Sequence, residues 1–294
     1  MSMMQEFESF DKKFPKKKML ICDKEFSYRY HKNGDTTIVL LTGGLGFSDL
    51  FYMHYEAFAE KYSVITFDYP YGLPTNTQLA DAIAELIKRL DIEKAFLVGQ
   101  SYGGLIAQVI AKLHPEVVDG LILSNTGSLS KQMNSEGRKC MLDMITGLAK
   151  TKKILKYIPI AILKPFMLKK IMLNLKDITG EDKIFIAELF EYAIKLLTSI
   201  HEIHMCSLMI DLNNYWDMTP VNFAVFKDRT LLILSKDDMT FNDGVKQSLI
   251  NIMPNPIIRT DISGGHLALF SKIQHYVEAV ENFIDERKQL RIAK

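Results

Sequence analysis

The chain has few cysteines and no excess charge of one sign. Its three cysteines, Cys22, Cys140 and Cys206, are widely spaced and form no C-x-x-C pair. This pattern provides neither a disulfide framework nor a zinc site, and it is typical of a reducing compartment. Lys and Arg number 36 against 35 Asp and Glu, so the overall charge gives no reason to expect a nucleic-acid partner.

Long apolar runs are also missing. No stretch approaches the roughly 18 apolar residues of a membrane span, and the N-terminal segment carries charges where a secretion signal needs an apolar core. We therefore expect a cytoplasmic protein. With 294 residues, 48% hydrophobic and 24% charged, the chain has the composition of a globular protein with one large domain, or with a core and one insertion.

Short apolar runs alternate with segments of helical spacing over most of the chain. The runs predict eight strands, at residues 19–22, 26–31, 37–44, 63–68, 95–99, 118–125, 230–235 and 256–262. The segments between them predict helices over 50–61, 77–90, 102–114, 243–253 and 266–288. Because strands that are apolar on both faces alternate with helices, we predict an α/β fold with a mostly parallel eight-stranded sheet flanked by helices.

This alternation stops between residues 128 and 217. The interval contains no convincing strand, only helical segments rich in Leu, Ile, Met and Lys. We predict a core formed by residues 1–127 and 218–294, interrupted by an all-helical cap at 128–217. An insertion of this length in a compact domain usually covers a site.

The most informative motif is a G-x-S-x-G at residues 99–103, centred on Ser101. It lies between a predicted buried strand and a predicted helix, where a sharp turn holds the serine at the carboxyl end of the sheet. Glycines two positions to either side remove the side chains that would collide in such a turn. We interpret Ser101 as a nucleophile; the alternative is a tight structural turn with a capping serine.

A serine nucleophile needs a base and an orienting carboxylate. Of the seven histidines, His266 alone lies in a loop after the last predicted core strand, the position where an open α/β sheet gathers its functional groups. Asp237 and Asp238 directly follow the preceding predicted strand, and we favour Asp238 as the acid. The chain order Ser101, Asp238, His266 is the one that accompanies an elbow of this kind.

The oxyanion of an acyl-transfer intermediate needs two N–H donors. We expect one from Tyr102, and the other from Gly44 or Leu45 in the glycine loop TGGLG at 42–46. This loop matches neither G-x-G-x-x-G nor a P-loop, which argues against a bound nucleotide. The aromatic candidates for the wall of a mostly apolar, Met-rich pocket beneath the cap are Phe47, Phe51 and Tyr52, and ordinary core packing is the alternative for them.

Six segments together resemble proteins of the α/β-hydrolase fold in the group with a helical cap after the sixth strand. They are TGGLG (42–46), FDYPYG (67–72), VGQSYGG (98–104), LHPEVVDGLILSN (113–125), LSKDD (234–238) and GGHLALF (264–270). The resemblance implies a serine hydrolase without cofactor or metal, which cleaves a carboxylic ester or related acyl bond of a small molecule through an acyl-enzyme. A serine rather than an aspartate at position 101 argues against the alkyl-enzyme mechanism of dehalogenases and epoxide hydrolases.

The sequence departs from many relatives at two places. Thr42-Gly43 replaces a His-Gly pair at the oxyanion loop, and Tyr69-Pro70 stands where an arginine follows the fourth-strand aspartate. Two other functions stay open. An aminopeptidase or amidase would need an acidic group near the cap, with Glu181, Asp182, Glu188 and Glu191 as candidates by location. A non-catalytic hydrolase-fold binding protein is the other alternative.

Two features of the cap have alternative interpretations. Residues 150–176 contain eight lysines and no acid, which fits either a solvated outer face or an attraction to anionic lipid or to an acidic substrate group. His201 and His204 are three residues apart on a predicted helix, but no third ligand is apparent nearby. We therefore predict no metal site there.

Overall fold

The computed structural model describes residues 2–173, 175 and 178–292. One eight-stranded sheet has the strand order β1-β2-β4-β3-β5-β6-β7-β8. Its strands are β1 (Lys17–Ile21), β2 (Lys24–His31), β3 (Thr37–Leu41), β4 (Ser63–Phe67), β5 (Ala95–Gln100), β6 (Val118–Ser124), β7 (Thr230–Ile233) and β8 (Ile257–Arg259). β2 pairs antiparallel with β1 and with β4, and all other neighbouring strands are parallel.

The helices of the described residues either flank this sheet or are inserted in the sequence between β6 and β7. They are α1 (Met3–Lys13), α2 (Tyr52–Ala59), α3 (Asn76–Arg89), α4 (Tyr102–Leu113), α5 (Ser135–Ile154), α6 (Ile160–Leu173), α7 (Gly180–Leu196), α8 (Ser199–Asp211), α9 (Asp243–Ile252), α10 (Ala268–Ser271) and α11 (Ile273–Ile292). Short 3-10 turns connect several of them, including one at Gly265–Leu267. Within the described part of the chain, no helix combines the length and the apolar character needed to cross a membrane.

The sheet is mostly parallel and eight-stranded, as predicted, because its central strands are apolar on both faces. Every residue of β3 is buried, and its side chains alternate between two cores. Val39 and Leu41 pack with α3 and α4 on one face, whereas Ile38 and Leu40 pack with α1, α2 and α11 on the other. Helices therefore cover both faces of the sheet, which leaves its strand ends to carry the functional groups.

Four elements differ most clearly from the prediction. The third strand ends at Leu41 rather than at residue 44, because the chain turns at the glycine loop, where the amide of Gly46 donates to the carbonyl of Gly43 at 3.0 Å. The last strand is shortened to Ile257–Arg259, and the final helix is divided into the turn at Gly265–Leu267, α10 and α11. Helix α1, which begins with a capping box at Ser2, was not predicted.

Four helices, α5 to α8, occupy the interval in which we predicted a cap. An isolated parallel bridge joins Ser130 to Met218, so the two ends of the interval meet near the sheet. The division into a core and a separate cap domain at residues 128 and 217 stays a prediction. We use the word cap below for helices α5 to α8.

Candidate active site

Ser101 lies in a strained turn between β5 and α4. Its backbone has φ 54° and ψ −118°, a conformation that non-glycine residues rarely adopt and that is typically found at functional sites. A Cβ on Gly103 would lie 1.9 Å from the carbonyl oxygen of Leu41, and one on Gly99 would lie 2.3 Å from the carbonyl oxygen of Gly103. The turn therefore requires both glycines and holds Ser101 at the carboxyl end of β5.

His266 lies in the loop after β8 and faces Ser101. Its Nε2 is 3.0 Å from the Oγ of Ser101, within hydrogen-bond reach for general-base catalysis. Gly264 and Gly265, with φ of 130° and 64°, give the loop the left-handed turn that brings the imidazole over the strand ends. Ser101 and His266 are 165 residues apart in sequence, and the fold brings them into contact.

Asp238 contacts the other side of the imidazole. Its Oδ2 is 3.1 Å from the Nδ1 of His266, and its Oδ1 accepts a hydrogen bond from the amide of Thr240 at 2.7 Å. Burial by itself would raise the pKa of Asp238, but the hydrogen bond and charge of His266, the Thr240 amide and Lys246 outweigh it, so the pKa lies below its usual value. An ionised Asp238 fixes the Nδ1–H tautomer and leaves Nε2 free to accept the proton of Ser101.

Asp237, the less favoured acid, contacts the backbone of the histidine loop. Its Oδ2 accepts hydrogen bonds from the amides of Gly264 at 3.0 Å and Gly265 at 2.9 Å. The two neighbouring aspartates therefore contact different parts of this loop. Asp238 contacts the imidazole, and Asp237 contacts the glycines that present it.

Two further residues that the sequence analysis missed support the same loop. Asn125, directly after β6, has a positive φ of 39°, and its Nδ2 donates to the carbonyl of Gly265 at 2.8 Å. Gln100 donates from Nε2 to the carbonyl of His266 at 3.2 Å. Gln100 ends β5 and Asn125 directly follows β6, so the position of each at a strand end was the available signal.

A cavity of about 350 Å³ opens in front of Ser101. Apolar side chains of the core and of the cap dominate its wall. The wall comprises Gly43, Gly44, Leu45, Leu50, Phe51, Gln100, Ser101, Leu148, Thr151, Met167, Lys170, Ile171, Phe190, Glu202, Met209, His266, Leu267 and Phe270. The size is in the range of small-molecule sites, and both core and cap contribute to it.

The wall differs in part from the prediction. Of the three aromatic candidates Phe51 lines the cavity, but Phe47 and Tyr52 do not. Phe47 stacks on His201 with ring centroids 4.3 Å apart. Tyr52 packs against Phe7 of α1, because the unpredicted N-terminal helix covers that side of the core. Methionine contributes Met167 and Met209 to this cavity. A smaller adjoining cavity beside Ser101 is lined by Met141, Met144 and Met209, so several methionines do lie near Ser101.

Comparisons with known proteins match this architecture. The family described as alpha/beta hydrolase fold matches residues 36–152. An esterase from Exiguobacterium antarcticum superposes with a TM-score of 0.73 at 17% identity, covering 91% of this chain and 98% of that one. A hydrolase from Pseudomonas aeruginosa superposes with a TM-score of 0.72 at 15% identity, covering 92% of this chain and 98% of that one. The chain has the α/β-hydrolase fold.

Curated relatives match over a shorter stretch. A putative carbamate hydrolase RutD of Agrobacterium fabrum is 28% identical over 113 residues, which are 35% of this chain and 43% of the relative. The protein of the same name from Yersinia enterocolitica is 32% identical over 113 residues, 35% of this chain and 39% of the relative. The matches thus span about two-fifths of these relatives' length.

The two predicted sources of oxyanion donors in this α/β-hydrolase fold both lie beside Ser101. Tyr102 is the first residue of α4, where backbone N–H groups have no acceptor within the helix. Gly44 and Leu45 line the cavity, and a Cβ on Gly44 would lie 3.0 Å from the Sδ of Met209. The glycine at position 44 thus lets the loop approach the cap closely. The donor roles of Tyr102, Gly44 and Leu45 stay predictions.

His201, which we examined as a metal ligand, connects the glycine loop to the cap. Its Nε2 is 2.6 Å from the carbonyl oxygen of Leu45, and its Nδ1 is 3.0 Å from the hydroxyl of Tyr71. Because a carbonyl only accepts, Nε2 carries the proton and Nδ1 accepts from Tyr71. Burial lowers the pKa of His201, which favours this neutral form. His201 is therefore a structural link from α8 to the loop that holds Gly44.

Glu202, the next residue of α8, was missed by the sequence analysis. It is 7% exposed and lines the cavity. The Sγ of Cys206 is 3.7 Å from its Oε1, whereas its Oε2 has no hydrogen-bond partner among the described residues. Burial raises the pKa of Glu202. The four acids that we considered from sequence, Glu181, Asp182, Glu188 and Glu191, are instead exposed and absent from the cavity wall as described.

Proposed function

We propose that this α/β-hydrolase-fold protein is a serine hydrolase that cleaves a carboxylic ester or a related acyl bond through an acyl-enzyme. The observation that carries the proposal is the chain of contacts from Ser101 to His266 at 3.0 Å and from His266 to Asp238 at 3.1 Å. A nucleophile, a base and an orienting acid in this geometry are the elements that acyl transfer requires. At the Ser101 end of this series of contacts lies an apolar cavity large enough for an acyl group.

The proposed reaction proceeds in two stages. The Oγ of Ser101 forms a bond to the substrate carbonyl while the Nε2 of His266 takes its proton, and Asp238 stabilises the resulting imidazolium. The oxyanion accepts hydrogen bonds from the amides of Tyr102 and Gly44. His266 then gives the proton to the leaving group as the acyl–oxygen bond breaks. In the second stage water, deprotonated by His266, releases the acid and restores Ser101.

The descriptions of the relatives support hydrolysis as the class of reaction. Two neighbours in the structural comparison are described as esterases, one of them from Thermogutta terrifontis with a TM-score of 0.73 at 15% identity and coverage of 92% of this chain and 98% of that one. The curated relatives are described as putative carbamate hydrolases. An ester and a carbamate share a carbonyl next to a leaving group, so both are compatible with attack by Ser101.

Pre-steady-state kinetics with 4-nitrophenyl esters of increasing acyl length tests this proposal. We expect a burst of 4-nitrophenol close to one equivalent per protein, because acylation with a good leaving group outpaces deacylation. We also expect the rate to fall once the acyl chain exceeds the length of the cavity. Absence of any release from folded protein, for all chain lengths, would favour the non-catalytic binding protein instead.

Glu202 favours a second candidate within the same mechanism, an enzyme for acyl substrates that carry an amine. A buried carboxylate oxygen without a partner is costly, and an ammonium group of the substrate would supply the missing hydrogen bond and charge. The terminal torsion of a glutamate is broad, so a small rotation turns Oε2 toward a ligand in the cavity. Glu202 would therefore bind the ammonium group of the substrate, a role for which the sequence analysis considered acids of α7.

The charge-removing substitution Glu202→Gln separates the two candidates. If the substrate carries an ammonium group, kcat/KM for alanine 4-nitroanilide should fall by roughly 10- to 100-fold, while that for 4-nitrophenyl butyrate changes little. Glu191→Gln, at an exposed position of α7, is the matched control. Equal, small effects on both substrates would leave the neutral ester as the preferred class.

The same variant has a predicted effect on stability. Because the folded pKa of Glu202 is raised, its ionisation penalises the folded state above the unfolded pKa of about 4.3. Glu202→Gln should therefore raise Tm at neutral pH by roughly 2 °C. The gain should disappear below about pH 4, where the carboxyl is protonated in both states. Thermal unfolding followed by circular dichroism across this pH range checks the sign.

A further inference from the structure

The outer side of the cap exposes a run of large apolar side chains. From the end of α5 through α6 these are Ile154, Tyr157, Ile158, Ile162, Phe166 and Leu173. Tyr157 is 86% exposed and Phe166 is 69% exposed. Single exposed apolar residues are ordinary, but a contiguous set marks a surface that contacts another apolar phase or partner.

Helix α6 explains why these residues face outward. Ile162, Phe166 and Leu173 are spaced i, i+4 and i+11, so they lie on one side of the helix. The other side is also apolar: Ile160 is buried, and Leu163, Met167 and Ile171 pack against the same small core beneath the cap. Although α6 also carries Lys164, Lys169 and Lys170, it has apolar side chains on two sides, more than the single apolar stripe of an ordinary surface helix. In α6 only one of the two apolar sides is covered by described residues.

The charged residues of this segment are of one sign, because residues 150–176 contain no acid. Two ion pairs that involve the cap join Lys139 to Asp143 and Lys272 to Asp182. The acids of the neighbouring α7 include two on its core side. Asp182 pairs with Lys272 of the core, and Glu188 lies close enough to Tyr52 to contribute, after burial and Glu6, to its raised pKa.

We propose that this surface docks on a lipid bilayer that carries anionic headgroups. We call it the outer cap face; it comprises Lys150, Lys153, Ile154, Lys156, Tyr157, Ile158, Ile162, Phe166, Lys169 and Leu173, all of which are exposed. Apolar side chains flanked by lysines match the boundary between acyl chains and anionic headgroups. With 14 residues, α6 is about 21 Å long, shorter than the hydrocarbon core of about 30 Å, so it lies along the surface.

The docking surface adjoins the cavity. Met167 and Ile171, on the covered side of α6, line the cavity in front of Ser101, while Phe166 on the same helix faces outward. A helix held in the headgroup region would therefore place the cavity next to the lipid phase, where lipophilic acyl compounds concentrate. The binding itself does not depend on the proposed reaction and is measured without a substrate.

Flotation of the full chain with vesicles tests the proposal. We expect binding to vesicles of phosphatidylcholine and phosphatidylglycerol in equal parts, weak binding to phosphatidylcholine alone, and a decrease as salt is added. The triple variant Lys150→Gln, Lys153→Gln, Lys156→Gln should bind about 100-fold more weakly, since each lysine near an anionic surface contributes about fivefold. Phe166→Ser should weaken binding by about tenfold.

Matched variants outside the outer cap face distinguish docking from bulk charge. The triple variant Lys17→Gln, Lys32→Gln, Lys94→Gln removes the same charge from exposed positions at the sheet, and Val221→Ser alters an apolar residue that is 82% exposed. Both should retain binding. Equal losses in the two triple variants, or no binding of the unaltered chain to anionic vesicles, would overturn the proposal. So would light scattering that shows a dimer lost in Phe166→Ser without vesicle binding, because a second copy would then cover the face.

Discussion

Ser101→Ala should lose ester hydrolysis by roughly 10⁴-fold or more in kcat while keeping its fold. The substitution removes the only atom that forms the covalent bond in the proposed reaction. The backbone strain at φ 54° is no greater for alanine than for serine, so the elbow is expected to form. Initial rates with 4-nitrophenyl butyrate, together with the thermal unfolding curve, measure both parts of this prediction.

Ser9→Ala is the matched control for Ser101→Ala. Ser9 is exposed on α1 and far in sequence from the predicted site residues, so its hydroxyl has no role in the proposed reaction. Full turnover by Ser101→Ala would remove Ser101 as the nucleophile. A loss of similar size in Ser9→Ala would point to a non-specific effect of the preparations.

Asp238→Asn should lower kcat by roughly 10³- to 10⁴-fold. The carboxylate accepts from Nδ1 of His266 at 3.1 Å and from the Thr240 amide at 2.7 Å. Asparagine keeps its oxygen on the Thr240 amide and turns an NH₂ donor toward the imidazole. His266 then carries its proton on Nε2, the wrong nitrogen for accepting the proton of Ser101.

Asp237→Asn provides the matched comparison at the adjacent position. Its Oδ2 accepts only from the amides of Gly264 and Gly265 at 3.0 and 2.9 Å, and an asparagine oxygen accepts from the same amides. We therefore expect a loss of less than about tenfold. Steady-state kinetics of the two variants side by side measures the difference. A larger loss in Asp237→Asn than in Asp238→Asn would reverse the assignment of the acid.

The parts of the fold that the sequence predicted are those that local pattern determines. β3 is apolar at every position, and the elbow at Ser101 requires glycines that are visible two residues away on either side. His266 and Asp238 follow strands directly, so the parallel sheet brings them to the same edge. The limits of these elements were less predictable. β3 ends where the glycine loop turns, which apolar character alone does not reveal.

The parts that were missed depend on how the cap sits on the core. Glu202 lies about 100 residues from Ser101 in sequence and reaches the cavity only because α8 packs over the glycine loop, where His201 contacts Leu45. In the sequence HEIHM the two histidines drew attention to metal binding rather than to the glutamate between them. Phe47 and Tyr52 follow the alternative of ordinary packing, since Phe47 stacks on His201 and Tyr52 packs against Phe7 of α1.

Covalent labelling with a fluorophosphonate, followed by peptide mass spectrometry, tests the central claim most directly. The reagent phosphonylates a serine that a neighbouring histidine activates, with loss of fluoride. We predict one adduct per chain on the peptide that contains Ser101, with labelling abolished in His266→Ala although the serine is still present. Folded protein that stays unlabelled, or that carries the adduct on a different serine, would contradict the account.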